Sequence, residues 1–185
     1  MGNQQEVSEV QLAWLAGLLN GDGCFSLTFR RRDGRLKCDL SLTLTQCDPA
    51  IVERADDLIN KLGVTPGISE YEPSGAGIRT KWNMRISKMA HILAVIDAVL
   101  PYMVGEKCAQ AKLMKRYIER RLPFTDHSMR VSAGKLEDDR ESIEIASDFY
   151  KARRLDVPLE LAQVLRDYPS GEYAQAGGSA QHRDR

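Results

Sequence analysis

The sequence predicts an α+β domain of order αββαββα, four antiparallel strands with helices on one face. Three observations lead there. At Gly23 the hydrophobic period changes from helical to alternating. Two stretches, 24–46 and 68–87, then alternate apolar and polar residues as paired strands do. Capping residues, Asp48 before Pro49 and Ser87 before an apolar stripe, open a helix after each pair.

The first helix begins at a capping box, Ser8 with Gln11. Leu12, Ala13, Leu15, Ala16, Leu18 and Leu19 make it apolar nearly all round, so burial on more than one face is expected. Ala13, Gly17 and Gly21 recur at i, i+4 and i+8. A strip that small admits another backbone, at a cost in helix propensity. The apolar run is about half the ~20 residues a bilayer span needs.

The first strand sets Phe25, Leu27 and Phe29 against Ser26, Thr28, Arg30 and Arg32. Asp33-Gly34 marks a tight hairpin. The return strand sets Leu36, Cys38, Leu40, Leu42 and Leu44 against Lys37, Asp39, Ser41, Thr43 and Thr45, and Gln46 ends it. One sheet face must therefore sit on helices, and the other is a row of hydroxyl and basic groups. The second helix carries Ile51, Ala55, Leu58, Ile59 and Leu62 inward and stops at Gly63. In the second pair, Ile68 is expected inward with Ser69 and Tyr71 outward. A loop follows at 73–77. Ile78, Thr80, Trp82, Met84 and Ile86 then alternate with Arg79, Lys81, Asn83, Arg85 and Ser87.

Ser87 is expected to cap a helix with Ile92, Val95, Ile96 and Val99 in its core stripe, ending at Pro101. A basic helix follows from about Glu106 to Arg121, with Ala111, Met114, Ile118 and Leu122 buried. After a loop at 122–137, Asp139 to Arg153 reads as an acidic helix with Ile143, Ala146, Phe149 and Tyr150 inward. Pro158 starts a short helix carrying Leu161, Ala162, Val164 and Leu165. One domain over 1–167 is expected, its core at about 8–122 and its C-terminal helices at about 138–167. The tail 168–185, rich in Gly, Ser, Ala and Gln, is expected to be flexible.

Composition is that of an ordinary soluble protein, 43% hydrophobic and 28% charged. Without a signal-peptide pattern or a long apolar run, an intracellular protein that does not enter membranes is expected. Four dispersed cysteines read as reduced, and three scattered histidines suggest no metal cluster. The net charge of zero hides an uneven distribution: residues 1–121 hold 17 Lys+Arg against 14 Asp+Glu, and the remainder is acidic.

Leu15-Ala16-Gly17-Leu18-Leu19-Asn20-Gly21-Asp22-Gly23 resembles the signature of the LAGLIDADG homing endonucleases, most closely the branch with one motif per chain that works as a homodimer. The run Ser41-Leu42-Thr43-Leu44-Thr45-Gln46 adds to the likeness, which spans about residues 8–122. The resemblance implies a saddle-shaped sheet over DNA, motif helices at the dimer interface and Mg²⁺ (or Mn²⁺) bound by the last acid of the motif. Ala13, Ala16, Gly17, Asn20 and Gly21 would then line the interface, and Asp22 with Gly21 would hold the metal. Gln46 matches a family position that orders water, and Lys107 matches an active-site lysine. Asn20 stands where an acid is commoner. The basic residue expected a few positions after Gln46 is absent, with Ala50 and Ile51 there instead; Arg54 is a weak substitute.

The residues themselves point the same way. A single Asp22 is a poor site for a hard divalent ion, whereas two copies, joined through the small-residue helix, could share metals beside two scissile phosphates. An antiparallel ribbon fits the major groove, and Arg and Lys can bond guanine. Candidates to face DNA are Ser26, Thr28, Arg30, Arg32, Lys37, Asp39, Ser41 and Thr43, with Ser69, Tyr71, Arg79, Lys81, Asn83 and Arg85 in the second hairpin. Lys112, Lys115 and Arg116 are candidates for phosphates. A nine-residue strand spans roughly 30 Å at ~3.3 Å per residue. At ~3.4 Å per base pair, a homodimer covers a near-palindrome of about 18–22 base pairs. The expected activity is metal-dependent, site-specific cleavage of double-stranded DNA, as in intron homing. An intron maturase or other non-cleaving nucleic-acid binder on the same scaffold is the alternative, and a small protein-binding domain the third reading.

Overall fold

The computed structural model describes residues 6–32, 35–72, 79–124, 136 and 139–167. Its elements are α1 (Glu9–Gly21), β1 (Gly23–Arg32), β2 (Arg35–Gln46), α2 (Pro49–Lys61), β3 (Gly67–Tyr71), β4 (Lys81–Ile86), α3 (Met89–Val99), α4 (Gly105–Arg121), α5 (Arg140–Ala152) and α6 (Leu159–Asp167). The αββαββα order is present, followed by α4, α5 and α6. The Asp33-Gly34 turn, the 73–77 loop with Ile78, most of the 122–137 loop and the tail from 168 lie outside the described residues.

One four-stranded antiparallel sheet has the order β1-β2-β4-β3. Pairing Leu27 with Leu40, Phe25 with Leu42 and Leu42 with Ile86 puts the apolar rows on one face. Directly opposite residues share a face. The other face therefore carries Ser26 beside Ser41, Thr28 beside Asp39, Arg30 beside Lys37, and Thr43 beside Arg85. The buried stripes of the helices meet the apolar face. Leu15, Ala16 and Leu19 of α1, Val52, Ala55, Leu58 and Ile59 of α2, and Ile92, Val95, Ile96 and Val99 of α3 complete the core with the strands. This is the α+β layer that the sequence predicts, four antiparallel strands with helices against the apolar face.

The caps explain where the elements begin. Ser8 Oγ accepts from Gln11 N–H, and Gln11 Oε1 accepts from Ser8 N–H, closing the predicted capping box. Asp48 accepts from Ala50 N–H at the head of α2. Helix α3 departs from expectation: its N-cap is Lys88, with no side-chain cap bond, and Ser87 precedes it. Its end leads into a short 3-10 turn over Leu100–Tyr102 that contains Pro101.

Three further expectations need correction. Strand β4 begins at Lys81, so Arg79 and Thr80 precede the sheet. Ile68 is on the inward register but 44% exposed, because β3 is a short edge strand exposed throughout. In α4 the buried line is Gln110, Ala111, Met114, Tyr117 and Ile118, while Leu122 is the half-buried C-cap.

Helix α5 packs against α4, and α6 contacts the edge strand β1. Phe149 and Tyr150 enter the core, and the Tyr150 hydroxyl donates to the Leu27 carbonyl. Asp139, the N-cap of α5, ties the helix to α4 through Arg120 and Arg121, each at 3.0 Å. The acidic C-terminal region thus meets basic residues of its own chain. Among the described residues, no helix is long and apolar enough to cross a membrane.

Candidate functional site

The site is built where α1 hands over to β1. Asp22 is the C-cap of α1, its N–H still bonded to the Leu18 carbonyl at 2.9 Å, and its side chain is exposed. A Cβ on Gly23 would lie 2.6 Å from the Leu19 carbonyl oxygen, so only glycine lets the chain turn this tightly into the strand. The neighbouring glycines differ: a Cβ at Gly17 or Gly21 would meet nothing within 4 Å.

Two distant residues reach this corner. Gln46, at the end of β2, donates from Nε2 to Asp22 Oδ2 at 2.6 Å. Lys107, in the first turn of α4, donates from Nζ to the Gly23 carbonyl. The sequence separations are 24 and 84 residues, so the fold alone brings the three predicted catalytic residues together. No carboxylate pairs with Lys107 and no cation pairs with Asp22 among the described residues. Asp22 retains one carboxylate oxygen for an outside cation, and Gly21, closing α1, lies among the last four carbonyls that helix geometry leaves without an intrahelical donor. No cluster of three or more His, Cys, Asp or Glu able to hold a metal exists among the described residues. One copy therefore offers a partial donor set suited to a hard cation that keeps waters or shares a second carboxylate.

The predicted interface residues divide. Ala13, Gly17 and Gly21 are exposed along one face of α1, with Val10 80% exposed beside them and Trp14 partly so. Ala16 is 0% exposed and packs with Leu15 and Leu19 inside its own protomer; its position one residue before Gly17 turns it to the buried side. Asn20 is half-buried, and its Oδ1 is sequestered without a hydrogen-bond partner. Arg54 lies with its guanidinium 4.4 Å from the Trp14 ring centroid, a stacking contact on the flank of α1.

The outer sheet face gathers most of the predicted DNA-facing side chains. Thr28, Arg30, Arg32, Lys37, Asp39, Lys81 and Arg85 are exposed there, and Ser26, Thr43 and Asn83 are half-buried. Ser69 and Tyr71 are exposed on β3 and share a face with Asn83 and Lys81. Arg30 bonds Asp39 at 2.9 Å, and Thr45 donates to Asn83 at 3.0 Å. Ser41 points the right way but is 6% exposed, a short side chain on an inner strand, so it is withdrawn from direct contact. Lys115 pairs with Asp97 of α3 and with Glu119 at 3.5 Å; its hydrogen bond to Asp97 raises its pKa. Its charge is spoken for, whereas Lys112 and Arg116 are exposed without an ion pair among the described residues, in the helical layer.

A family profile described as a LAGLIDADG-like domain matches residues 9–98, from α1 through most of α3. Over those residues the chain carries a LAGLIDADG-like domain. The homing endonuclease I-CvuI, solved with its target in the presence of Ca, superposes on this chain with a TM-score of 0.58 at 21% identity, over 85% of this chain and 94% of that one. The archaeal intron-encoded homing endonuclease I-Vdi141I, solved with DNA, gives 0.62 at 14% identity over 85% and 94%. The LAGLIDADG homing endonuclease I-GzeII, solved with a DNA target, gives 0.57 at 16% identity over 86% of this chain and 49% of that one. At such identities the likeness is one of fold. No match was found among curated protein sequences.

Sequence reasoning missed the C-terminal contribution to this corner. Arg153, the C-cap of α5, donates from Nη2 to Cys24 Sγ at 3.6 Å, and Arg154 pairs with Glu106, the residue before Lys107. No local pattern signals contacts 129 and 48 residues apart.

Proposed function

We propose that two copies of this chain form a site-specific endonuclease that cleaves both strands of a long, near-palindromic DNA site by metal-assisted phosphodiester hydrolysis. The observation that carries this is the convergence of Asp22, Gln46 and Lys107 at the foot of β1, beside the outer sheet face bearing Arg, Lys and hydroxyl groups. The two-copy arrangement is supported by the exposed Ala13/Gly17/Gly21 strip. Glycine in a helix costs about 1 kcal/mol relative to alanine. Nothing among the described residues occupies the space left at Gly17 or Gly21, and an external backbone would account for that cost.

Asp22, with the Gly21 carbonyl, would hold a divalent ion such as Mg²⁺ or Mn²⁺, which when bound activates water and neutralises phosphate charge. Gln46 fixes the Asp22 carboxylate by donating to Oδ2, and Oδ1 would be left to hold the ion. Lys107, anchored on the Gly23 carbonyl, keeps further N–H bonds to offer a phosphate oxygen and stabilises charge developing there. The outer-face residues read base edges in the major groove. Asp39 holding Arg30 by Nε leaves the terminal nitrogens of that guanidinium for a guanine.

Selection of cleaved sites from a randomised duplex library in Mg²⁺ tests this. Recovery of a near-palindrome of about 18–22 base pairs is expected from the strand-length estimate. Binding without cleavage would favour a non-cleaving nucleic-acid protein, and neither binding nor cleavage would end both readings.

A further inference from the structure

We propose that a cavity between the α2–β3 turn, the end of β4 and the head of α3 binds a small phosphate-class anion, such as inorganic phosphate or diphosphate, and that this anion competes with DNA for Arg85. The cavity has a volume of about 230 Å³ and is lined by Thr65, Gly67, Arg85, Ser87, Lys88 and His91. None of these residues belongs to the corner of Asp22, Gln46 and Lys107. The anion site stands without the nuclease reading above; the competition rests on it.

Gly67 opens β3 directly opposite Arg85 of β4, so the place beside the guanidinium holds no side chain. A Cβ on Gly67 would meet only the Arg85 carbonyl, at 3.8 Å, which leaves that place unfilled. Lys88 and His91 stand three residues apart at the head of α3, a spacing that brings two side chains to one face. Thr65 and Ser87 add hydroxyl groups, and among the described residues no carboxylate lines the cavity. Arg85, Lys88 and His91 make no ion pair or hydrogen bond among the described residues. Elsewhere an exposed cation meets an acid, as Arg30 meets Asp39 and Lys115 meets Asp97. Basic groups gathered without acids in a concavity focus a positive potential there. The volume equals roughly eight waters at ~30 Å³ each. That is below the ~300–1,000 Å³ of sites for drug-sized molecules, so a small ion fits and a whole nucleotide does not. A guanidinium fork beside hydroxyl and ammonium donors matches the oxygens of a tetrahedral oxyanion. Thr65, Lys88 and His91 belong to connections and to the helical layer, off the face assigned to DNA. Arg85 belongs to both places, since it also pairs with Thr43 on the outer face. An anion that holds its guanidinium takes it from DNA, and by linkage DNA weakens the anion by the same factor.

The probe is diphosphate, titrated by calorimetry into the full chain at fixed ionic strength without divalent metal. One saturable site per chain is expected. Lys88→Met and His91→Ala should each weaken it by about tenfold or more, as the loss of one charge-assisted bond does. Gly67→Val fills the cavity without touching a charge and should weaken binding as well, and it serves if either of the others does not fold. Lys151→Met, on α5 and paired with Asp148, should bind as the wild type does. In the second arm, diphosphate is added to the complex with the duplex recovered from the randomised library. It should lower wild-type DNA affinity by a few fold against sodium chloride of equal ionic strength, and should not do so in Gly67→Val. No saturable binding by the wild type, or wild-type affinity in the folded cavity variants, would overturn the site. DNA affinity indifferent to diphosphate would overturn the competition. Loss of DNA affinity in Lys88→Met, in a protein that does not bind diphosphate, would give the cavity to a backbone phosphate and overturn the proposal. A protein that binds diphosphate but no duplex would keep the site and remove the nuclease reading.

Discussion

Replacing Gly17 by alanine separates what helps one copy from what helps two. Gly17 is mid-helix and exposed, and the added Cβ meets nothing within 4 Å. Within one protomer the change is then governed by helix propensity alone, a gain of about 1 kcal/mol. For a protein of this size that raises the melting temperature by roughly 2–4 °C. In a dimer joined through this strip, the same methyl group enters a packed contact from both sides. Overpacking costs about 1–3 kcal/mol, weakening self-association by roughly 5-fold to 150-fold. Sedimentation equilibrium gives the second quantity. Urea denaturation gives the first, at concentrations below the dimer dissociation constant, since association otherwise adds to apparent stability. A more stable protomer with weaker association is the expected pair of results. Association unchanged or tightened in Gly17→Ala would refute the argument that the strip is an interface.

Asp22→Asn should leave DNA affinity within a few fold of wild type while cleavage falls by about a hundredfold or more, measured on supercoiled plasmid in Mg²⁺. Gly23→Ala should destabilise the fold by about 1–3 kcal/mol in urea denaturation, because its Cβ would sit 2.6 Å from the Leu19 carbonyl oxygen. Burial pushes the Asp139 carboxyl up, but bonds from Ser142, Arg121 and Arg120 outweigh it and hold the pKa below the usual value. A lowered folded-state pKa contributes stability that is present above the unfolded value of about 4 and is lost as pH falls through the folded value. Asp139→Asn should therefore lower stability near neutral pH and flatten its decline below about pH 4, read by thermal melts from pH 3 to 7.

How far the sequence was legible follows from the range of each interaction. The switch at Gly23, the capping box at Ser8 and the alternation in 24–46 depend on neighbours in sequence, and the elements they predict are present. Asp22, Gln46 and Lys107 were named by likeness to a family, and the fold brings them to one corner. Errors arise where a distant partner or a third dimension decides. Lys115 reads as a phosphate contact until Asp97 of another helix meets it. Ser41 has the right parity yet lies on an inner strand, and Ile68 has the inward parity yet lies on an edge. The resemblance places Ala16 at the interface, although its angular position on the helix sends it to the core. Arg153 carries no local signature, because its meaning lies in a contact with Cys24 across 129 residues.

The central claim is that cleavage needs an Asp22 from each of two copies. The most direct measurement is double-strand cleavage by wild-type and Asp22→Asn protein mixed in varying proportion and allowed to exchange subunits. If a two-fold assembly needs both carboxylates, activity should follow roughly the square of the wild-type fraction. Activity falling in simple proportion to that fraction would mean that each copy cuts alone, and the paired-carboxylate account would be wrong.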